Sequence, residues 1–394
     1  MSEALFVVNA GSSSIKFKLY RTLGDDIAPL IAGALDGIGT QPRLKAKNAD
    51  GAVLVDQGFA AQEIARPSDA QHAIGDWVTP LIGDYHLIGV GHRVVHGGPH
   101  YSHPVIVDDE VLRTLESFIP LAPLHQLTNL DPIRVLRERR PDLPQVACFD
   151  TAFHRDHPEV SDRFALPRGL YDDGVRRYGF HGLSYEYVAG RLREIAPELA
   201  EGRVVIAHLG SGASACALAG GRSMESTMSF TALDGLPMGT RCGALDAGVV
   251  LHLIEQKGLT AAEVGHMLYY DSGLRGLSGI SSDMRELLAS TDPAAALAVG
   301  YFTLHVAQAV ARLAVTLGGL DALVFTAGIG EHSPEVRSGV AARLGFLGVE
   351  IDAHANNGTA TFIQSDRSPV RVLVIPTDEE RMIGLHTLRL LRRT

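Results

Sequence analysis

The chain has 394 residues, 46% of them hydrophobic and 20% charged, which excludes a disordered or fibrous polypeptide. Its length exceeds what a single core usually supports and predicts two or three domains. The formal charge of −10 argues against a broad nucleic-acid surface but leaves room for a local basic pocket that takes an anion.

In chain order, Leu5–Val8 reads as a buried strand, ended by Asn9-Ala10-Gly11-Ser12-Ser13-Ser14. Ile15–Tyr20 then alternates apolar and polar, the period of a half-buried strand. Further strand-like runs are Leu87–Val90, Val94-Val95, Val146–Phe149, Val204–Ala207, Ala322–Phe325 and Val370–Ile375. Helical periodicity marks Val111–Phe118, Tyr185–Ile195, Ala294–Leu317 and Arg381–Leu391. Strands alternating with helices predict an α/β protein whose sites lie at strand ends. The apolar run Ala4–Val8 is too short to cross a bilayer and no basic region precedes it, so no signal peptide or membrane span is expected. Cys148, Cys216 and Cys242 have no CxxC spacing, which points to neither a disulfide framework nor structural zinc and fits a reducing cytoplasm.

The Gly/Ser turn after the first strand has a counterpart. His208-Leu209-Gly210-Ser211-Gly212-Ala213-Ser214 follows Val204–Ala207 and precedes the strand-like Ala215–Leu218 and the turn Gly220-Gly221. Two strand–turn–strand units about 200 residues apart point to a duplicated α/β domain, the alternative being two unrelated hairpins. No linker separates the halves, so a cleft between packed domains is expected. Such turns offer backbone N–H groups and hydroxyls to an anion, as a nucleotide phosphate chain requires. Neither matches GxxxxGK[ST] or GxGxxG, so a P-loop and a dinucleotide fold are both unsupported. A third glycine-rich stretch, Ala327–His332, reads as a loop against which a nucleotide could lie, or as a plain strand-to-helix connection. Ser333 and Pro334 follow it as N-cap and first helical residue. His92, His96, His100 and His103 are spaced as on a helix, but Gly97-Gly98-Pro99 would break it, so no metal cluster is expected there.

Several segments, in order, resemble the acetokinase family of short-chain acyl kinases. They are Val8–Lys16, Gly91–Gly98, Leu121–His125, Phe149–His154, Arg177–Gly182, Gly239–Arg241, Asp283–Arg285, Phe325–Glu331 and Pro376–Glu380. The resemblance implies a duplicated sugar kinase/actin-like fold of the ribonuclease H type. It would have a first domain over 1–150, completed by a helix over 379–394, a second over 151–378, and an active-site cleft between them. It implies Mg²⁺-dependent transfer of phosphate from ATP to acetate, with Mn²⁺ as a substitute metal, in a cytoplasmic homodimer that uses neither nucleic acid nor membrane.

The same resemblance assigns residues. Arg93, His181, Arg241 and Asp150 would serve catalysis, with Arg93 binding the carboxylate and Asp150 orienting Arg93 or metal-bound water. A guanidinium suits both roles because it binds carboxylate or phosphate bidentately and stays charged. Val95, Leu124, Phe180 and Ala232 would enclose the acyl group. Lys16, Ser12 and the turn His208, Leu209, Gly210, Ser211, Gly212 would face phosphates. Asp283, Met284, Arg285, with Gly328, Ile329, Gly330, Glu331 and His332, would line the nucleotide site. Asn9 and Glu379 would position the metal, while Thr377 and Glu380 read as a capping box of the last helix. The chain departs from the family pattern at Ser211 and His332, which replace Asn, at Tyr185 (usually His), Pro99 (usually Glu), Asp378 (usually Asn) and Ala232 (usually Pro). Ala232 would leave more room in the acyl pocket, which keeps propionate as an alternative substrate. An actin- or chaperone-like ATPase is the alternative of a different class.

Overall fold

The computed structural model describes residues 2–11, 13–83, 85–123 and 125–393. The chain divides into two compact units, residues 1–152 with 378–394, and residues 153–377.

In the first unit the strands are β1 (Ser2–Ala10), β2 (Ser14–Leu23), β3 (Asp26–Asp36), β4 (Arg43–Asn48), β5 (Val53–Gly58), β6 (Tyr85–Val94), β7 (Val105–Ile106) and β8 (Gln145–Phe149). Among the described residues they form one sheet in the order β5-β4-β3-β2-β1-β6-β8-β7. The runs at Leu87–Val90 and Val94-Val95 prove to be one strand, with Val95 just beyond its end. Register sets the two faces. Val8 is opposite both Phe17 and His92, and these side chains share the face covered by the helices Pro67–Ile82 and Gln126–Arg139. Asn9, Lys16 and Arg93 alternate to the other face, where helix Glu379–Leu391 packs on β1 and β6. That packing is close: a Cβ on Gly91 would lie 2.3 Å from Thr387 Oγ1, so only glycine admits the helix there.

The second unit contains β9 (Arg203–Leu209), β10 (Ala213–Ala219), β11 (Arg222–Ser226), β12 (Ala322–Thr326) and β13 (Arg371–Val374), ordered β11-β10-β9-β12-β13. β9 pairs antiparallel with β10 and parallel with β12, as β1 pairs with β2 and β6. The next neighbours repeat too, β10 with β11 as β2 with β3, and β12 with β13 as β6 with β8. The two units therefore share one five-strand plan, and the internal repeat seen in the sequence is a duplication. One face of the second sheet packs on Tyr185, Val188 and Leu192 of helix Gly182–Ile195. Helix Pro293–Leu317 also packs on this sheet and begins on Asp292, which accepts from Ala294 N, with Pro293 in its first turn. That helix is long and apolar enough to cross a membrane by composition, yet Phe302, Val306, Val310 and Leu313 along it are buried in the unit.

Candidate active site

In the first unit a charged cluster forms where β1, β6 and β8 end and helix Glu379–Leu391 begins. Asp150, the residue after β8, is buried and accepts from Arg93 Nε at 2.9 Å and from Arg93 Nη2 at 2.5 Å. This bidentate pair fixes the plane of the guanidinium. Arg93 Nη1 also reaches Asn9 Oδ1 at 3.4 Å. Burial works against the arginine's charge, but Asp150, Glu379 and Glu380 outweigh it and raise its pKa, so it stays a cation at any working pH. Asn9 Nδ2 donates to Glu380 Oε1 at 2.8 Å and to Glu379 Oε2 at 3.2 Å. Val95 is buried two residues beyond Arg93, and its N–H donates to Asn129 Oδ1 at 2.9 Å. Asn129 Nδ2 in turn donates to Ala10 O at 2.6 Å, tying the end of β1 to the segment after β6.

In the second unit a guanidinium and an imidazole converge on a glycine. His181 caps helix Gly182–Ile195 at φ 58°, a left-handed conformation that an L-residue with a side chain rarely adopts. A Cβ on Gly212 would lie 3.1 Å from Arg241 Nη2 and 3.3 Å from His181 Nε2, so both groups crowd the turn after β9 and would have to give by a few tenths of an ångström to admit a side chain. Arg241 Nη1 donates to Ala232 O at 2.7 Å. The Nδ1 of His181 is 2.8 Å from Ser214 Oγ, which also meets the Tyr185 hydroxyl. Burial keeps that phenol protonated well above its usual range. One assignment gives every hydroxyl hydrogen in this chain an acceptor: Tyr185 donates to Ser214, Ser214 to His181 Nδ1, and the His181 proton sits on Nε2, toward Gly212. The ring of His208 stacks on that of His181 with centroids 4.1 Å apart. Its Nδ1 is held by Ser184 Oγ at 2.8 Å, and Thr377 Oγ1 donates to the same serine at 2.9 Å.

The segment Gly328–His332 is helical rather than a loop, a correction to the sequence reading. Helix Ala327–His332 starts directly after β12, with Ala327 at φ 64° making the turn. Ser333 follows as N-cap of helix Pro334–Ala341, without a capping bond from its side chain. Glu331 Oε1 accepts from Thr377 N at 3.2 Å, while His332 is exposed. Asp283 caps helix Met284–Ala289 through Arg285 N, and Arg285 folds back onto it in an exposed ion pair; Met284 is buried. Leu209 is buried, Gly210 N donates to Gly212 O across the turn, and Ser211 is exposed. Phe180 is buried and Ala232 partly so. Ser12 and Leu124 lie outside the described residues.

The capping box expected of Thr377 and Glu380 is not formed. Asp378 is the N-cap, accepting from Arg381 N at 2.9 Å, because Glu380 is drawn to Asn9 and Thr377 to Ser184. One further residue of the first cluster carried no signal of its own. Lys18 Nζ lies 2.7 Å from Asp378 and 3.7 Å from Glu380, whereas Lys16, two residues earlier on the same strand face, is exposed. Alternation along β2 is the signal that would have brought Lys18 forward.

Glu379 and Glu380, meeting at one amide, are hard oxygen donors of the kind Mg²⁺ takes. Among the described residues no group of three or more His, Cys, Asp or Glu forms a cage for a metal. The donor set therefore fits an ion that keeps most of its waters and rests on one or two carboxylates.

The model of the acetokinase family matches residues 4–385. An acetate kinase of Nitrobacter hamburgensis is 54% identical over 390 residues, covering 99% of this chain and 96% of that protein. One from Rhizobium meliloti is 54% identical over 389 residues, covering 99% and 98%. Among solved structures, a propionate kinase from Francisella tularensis superposes with a TM-score of 0.90 at 35% identity, covering 98% of this chain and 99% of that one. Porphyromonas gingivalis acetate kinase gives 0.85 at 35% identity, covering 99% and 100%.

Proposed function

The chain belongs to the acetokinase family, and we propose that it moves the γ-phosphoryl group of ATP reversibly onto acetate, giving acetyl phosphate and ADP. Its activity is that of an acetate kinase, with ATP and ADP as co-substrates and a divalent metal in attendance. The acceptor carboxylate is ionised at neutral pH, so no base has to remove a proton. Catalysis then reduces to alignment and neutralisation of charge.

Arg93 binds the acetate carboxylate, and Asp150 holds the guanidinium so that its orientation precedes binding. Val95, Phe180, Ala232 and Leu124 enclose the methyl group. Arg241 and the Nε2–H of His181 donate to the phosphoryl oxygens in transit, over a turn whose glycine leaves them clear. Glu379, with Glu380 and Asn9 beside it, would hold Mg²⁺ through oxygen or water, and the ion would neutralise phosphate charge. Lys16, Ser12, the turn His208–Gly212, Asp283–Arg285 and Gly328–His332 receive the nucleotide. A cytoplasmic homodimer that uses neither nucleic acid nor membrane belongs to the same reading.

The observation that carries the proposal is Arg93 locked by a buried aspartate next to an apolar residue. A module that only hydrolyses ATP needs no such cation. ADP release should depend on acetate, and hydroxylamine should trap the product as acyl hydroxamate; ADP formed equally fast without any carboxylate would overturn the reading. Ala232, where the family usually has proline, favours some tolerance of propionate. One methylene discriminates by only about 1–3 kcal/mol, so acetate should lead in kcat/KM, and a clear excess for propionate would reassign the substrate.

A further inference from the structure

A cavity of about 510 Å³ lies in the first unit, under helices Pro67–Ile82 and Gln126–Arg139. Its walls are apolar, built from Phe6, Phe17, Ile74, Val78, Val90 and Leu143. It opens past the exposed Thr79, Pro80, Arg139 and Arg140. It is distinct from the cluster around Arg93, because alternate residues of the same strands face opposite sides: Val8 and His92 line the cavity, Asn9 and Arg93 do not.

Two polar side chains in this lining are unsatisfied. His92 is 1% exposed, and neither of its ring nitrogens makes a hydrogen bond. Gln145 is its polar neighbour, close enough to favour the protonated ring somewhat against burial, but neither its Oε1 nor the ring completes a well-formed hydrogen bond. The Gln71 amide is oriented by donating to Pro132 O at 2.8 Å, which leaves its buried Oε1 without a partner. A buried polar group left unpaired costs free energy, and in a native fold each such group calls for an explanation.

We propose that this cavity binds a small uncharged molecule with an apolar body and one hydroxyl group, such as an alkylphenol or a medium-chain alcohol. The walls take the hydrocarbon. The hydroxyl accepts from, or donates to, the neutral imidazole of His92, or donates to Gln71 Oε1. Burial pushes the His92 pKa down to about 4, so the ring is uncharged at neutral pH and gives a deep carboxylate no compensating charge. The volume lies within the range of small-molecule sites.

Isothermal titration with 4-propylphenol should give saturable binding to one site per chain. Propylbenzene, lacking the hydroxyl, should bind up to about tenfold more weakly, the effect of one buried hydrogen bond. Octanoate should give no saturable heat. Gly75→Leu adds a bulky side chain to the cavity lining beside Arg139 and should abolish 4-propylphenol binding with full kinase activity kept. His92→Phe should retain propylbenzene and lose the preference for the phenol. The proposal fails if 4-propylphenol gives no saturable binding, if Gly75→Leu binds it unchanged, or if octanoate competes equally for the site.

Discussion

The hydroxyl of Tyr185 meets Ser214 Oγ, which in turn lies 2.8 Å from His181 Nδ1, so the three side chains form one hydrogen-bonded chain. With His181 on the phosphoryl group as proposed, Tyr185 would act on it through Ser214 without touching substrate. Tyr185→Phe keeps the packing and removes the bond. It should lower kcat by about tenfold with KM for acetate little changed, and should alter the pH profile of kcat. Tyr185→His should recover part of the rate. Profiles that superimpose across all three proteins would leave Tyr185 with a packing role only.

Arg241 shares the space above Gly212 with His181. Removal of a donor that acts on charge developing in the transition state costs about 10²–10³ in rate. Arg241→Ala should fall in kcat by that order, whereas the dissociation constant for ATP, measured by equilibrium titration, should move by less than about threefold. A fall in ATP affinity that matches the fall in kcat would make it a nucleotide-binding residue instead.

Glu379, Glu380, Asp378 and Lys18 form a charge set on one side of Asn9. Glu379→Gln removes a hard donor, so the Mg²⁺ concentration for half-maximal rate should rise by about tenfold or more. Lys18→Met removes a competing cation and should move that midpoint the other way, to lower Mg²⁺. Metal titrations of the two variants that shift in the same direction would contradict this arrangement.

His154 and His157 stand side by side in the second unit and both meet Ser223 Oγ, while His154 Nε2 also bonds Phe180 O at 2.9 Å. Burial pushes His154 down to about 4, and burial with the neighbouring His154, Arg177 and Arg155 pushes His157 down to about 2. Both rings are neutral in the fold and protonate near 6.5 once unfolded. The unfolded chain thus binds more protons as pH falls below 6.5, and stability is lost progressively toward pH 4. A tenfold difference in proton affinity between the two states corresponds to about 1.4 kcal/mol, so His154 alone accounts for roughly 3 kcal/mol across that window. Denaturation midpoints should drop steeply from pH 7 to 4.5, and His154→Gln should flatten the slope.

Much of the frame was legible because it is local. Strand period, Gly/Ser turns and the repeat at His208–Ser214 suffice to predict two α/β units, and the two sheets repeat one another over five strands. The strands β3 to β5 went unread: the edge strand β5 exposes Val53 and Leu54 and carries no core signal, whereas Leu44 and Ala46 of β4 alternate as buried residues and were a missed signal. The pairings of the candidate site were equally hidden. Lys18 and Asp378 are 360 residues apart, and nothing in either neighbourhood names the other. Glu380 shows the cost of local reasoning: its spacing from Thr377 fits a capping box, but a buried amide at Asn9 and an ammonium at Lys18 hold it more strongly.

Asn9 belongs to the first strand, and the glutamates it holds belong to the last helix. During synthesis the first unit therefore waits, its leading strands emerging from the ribosome long before the segment that closes them. The second unit is continuous in the chain and can finish first. A nascent chain or a carboxyl-terminal truncation that stops before Asp378 would carry a folded second unit attached to an unfinished first. Loss of the final 17 residues should thus cost more than its length implies.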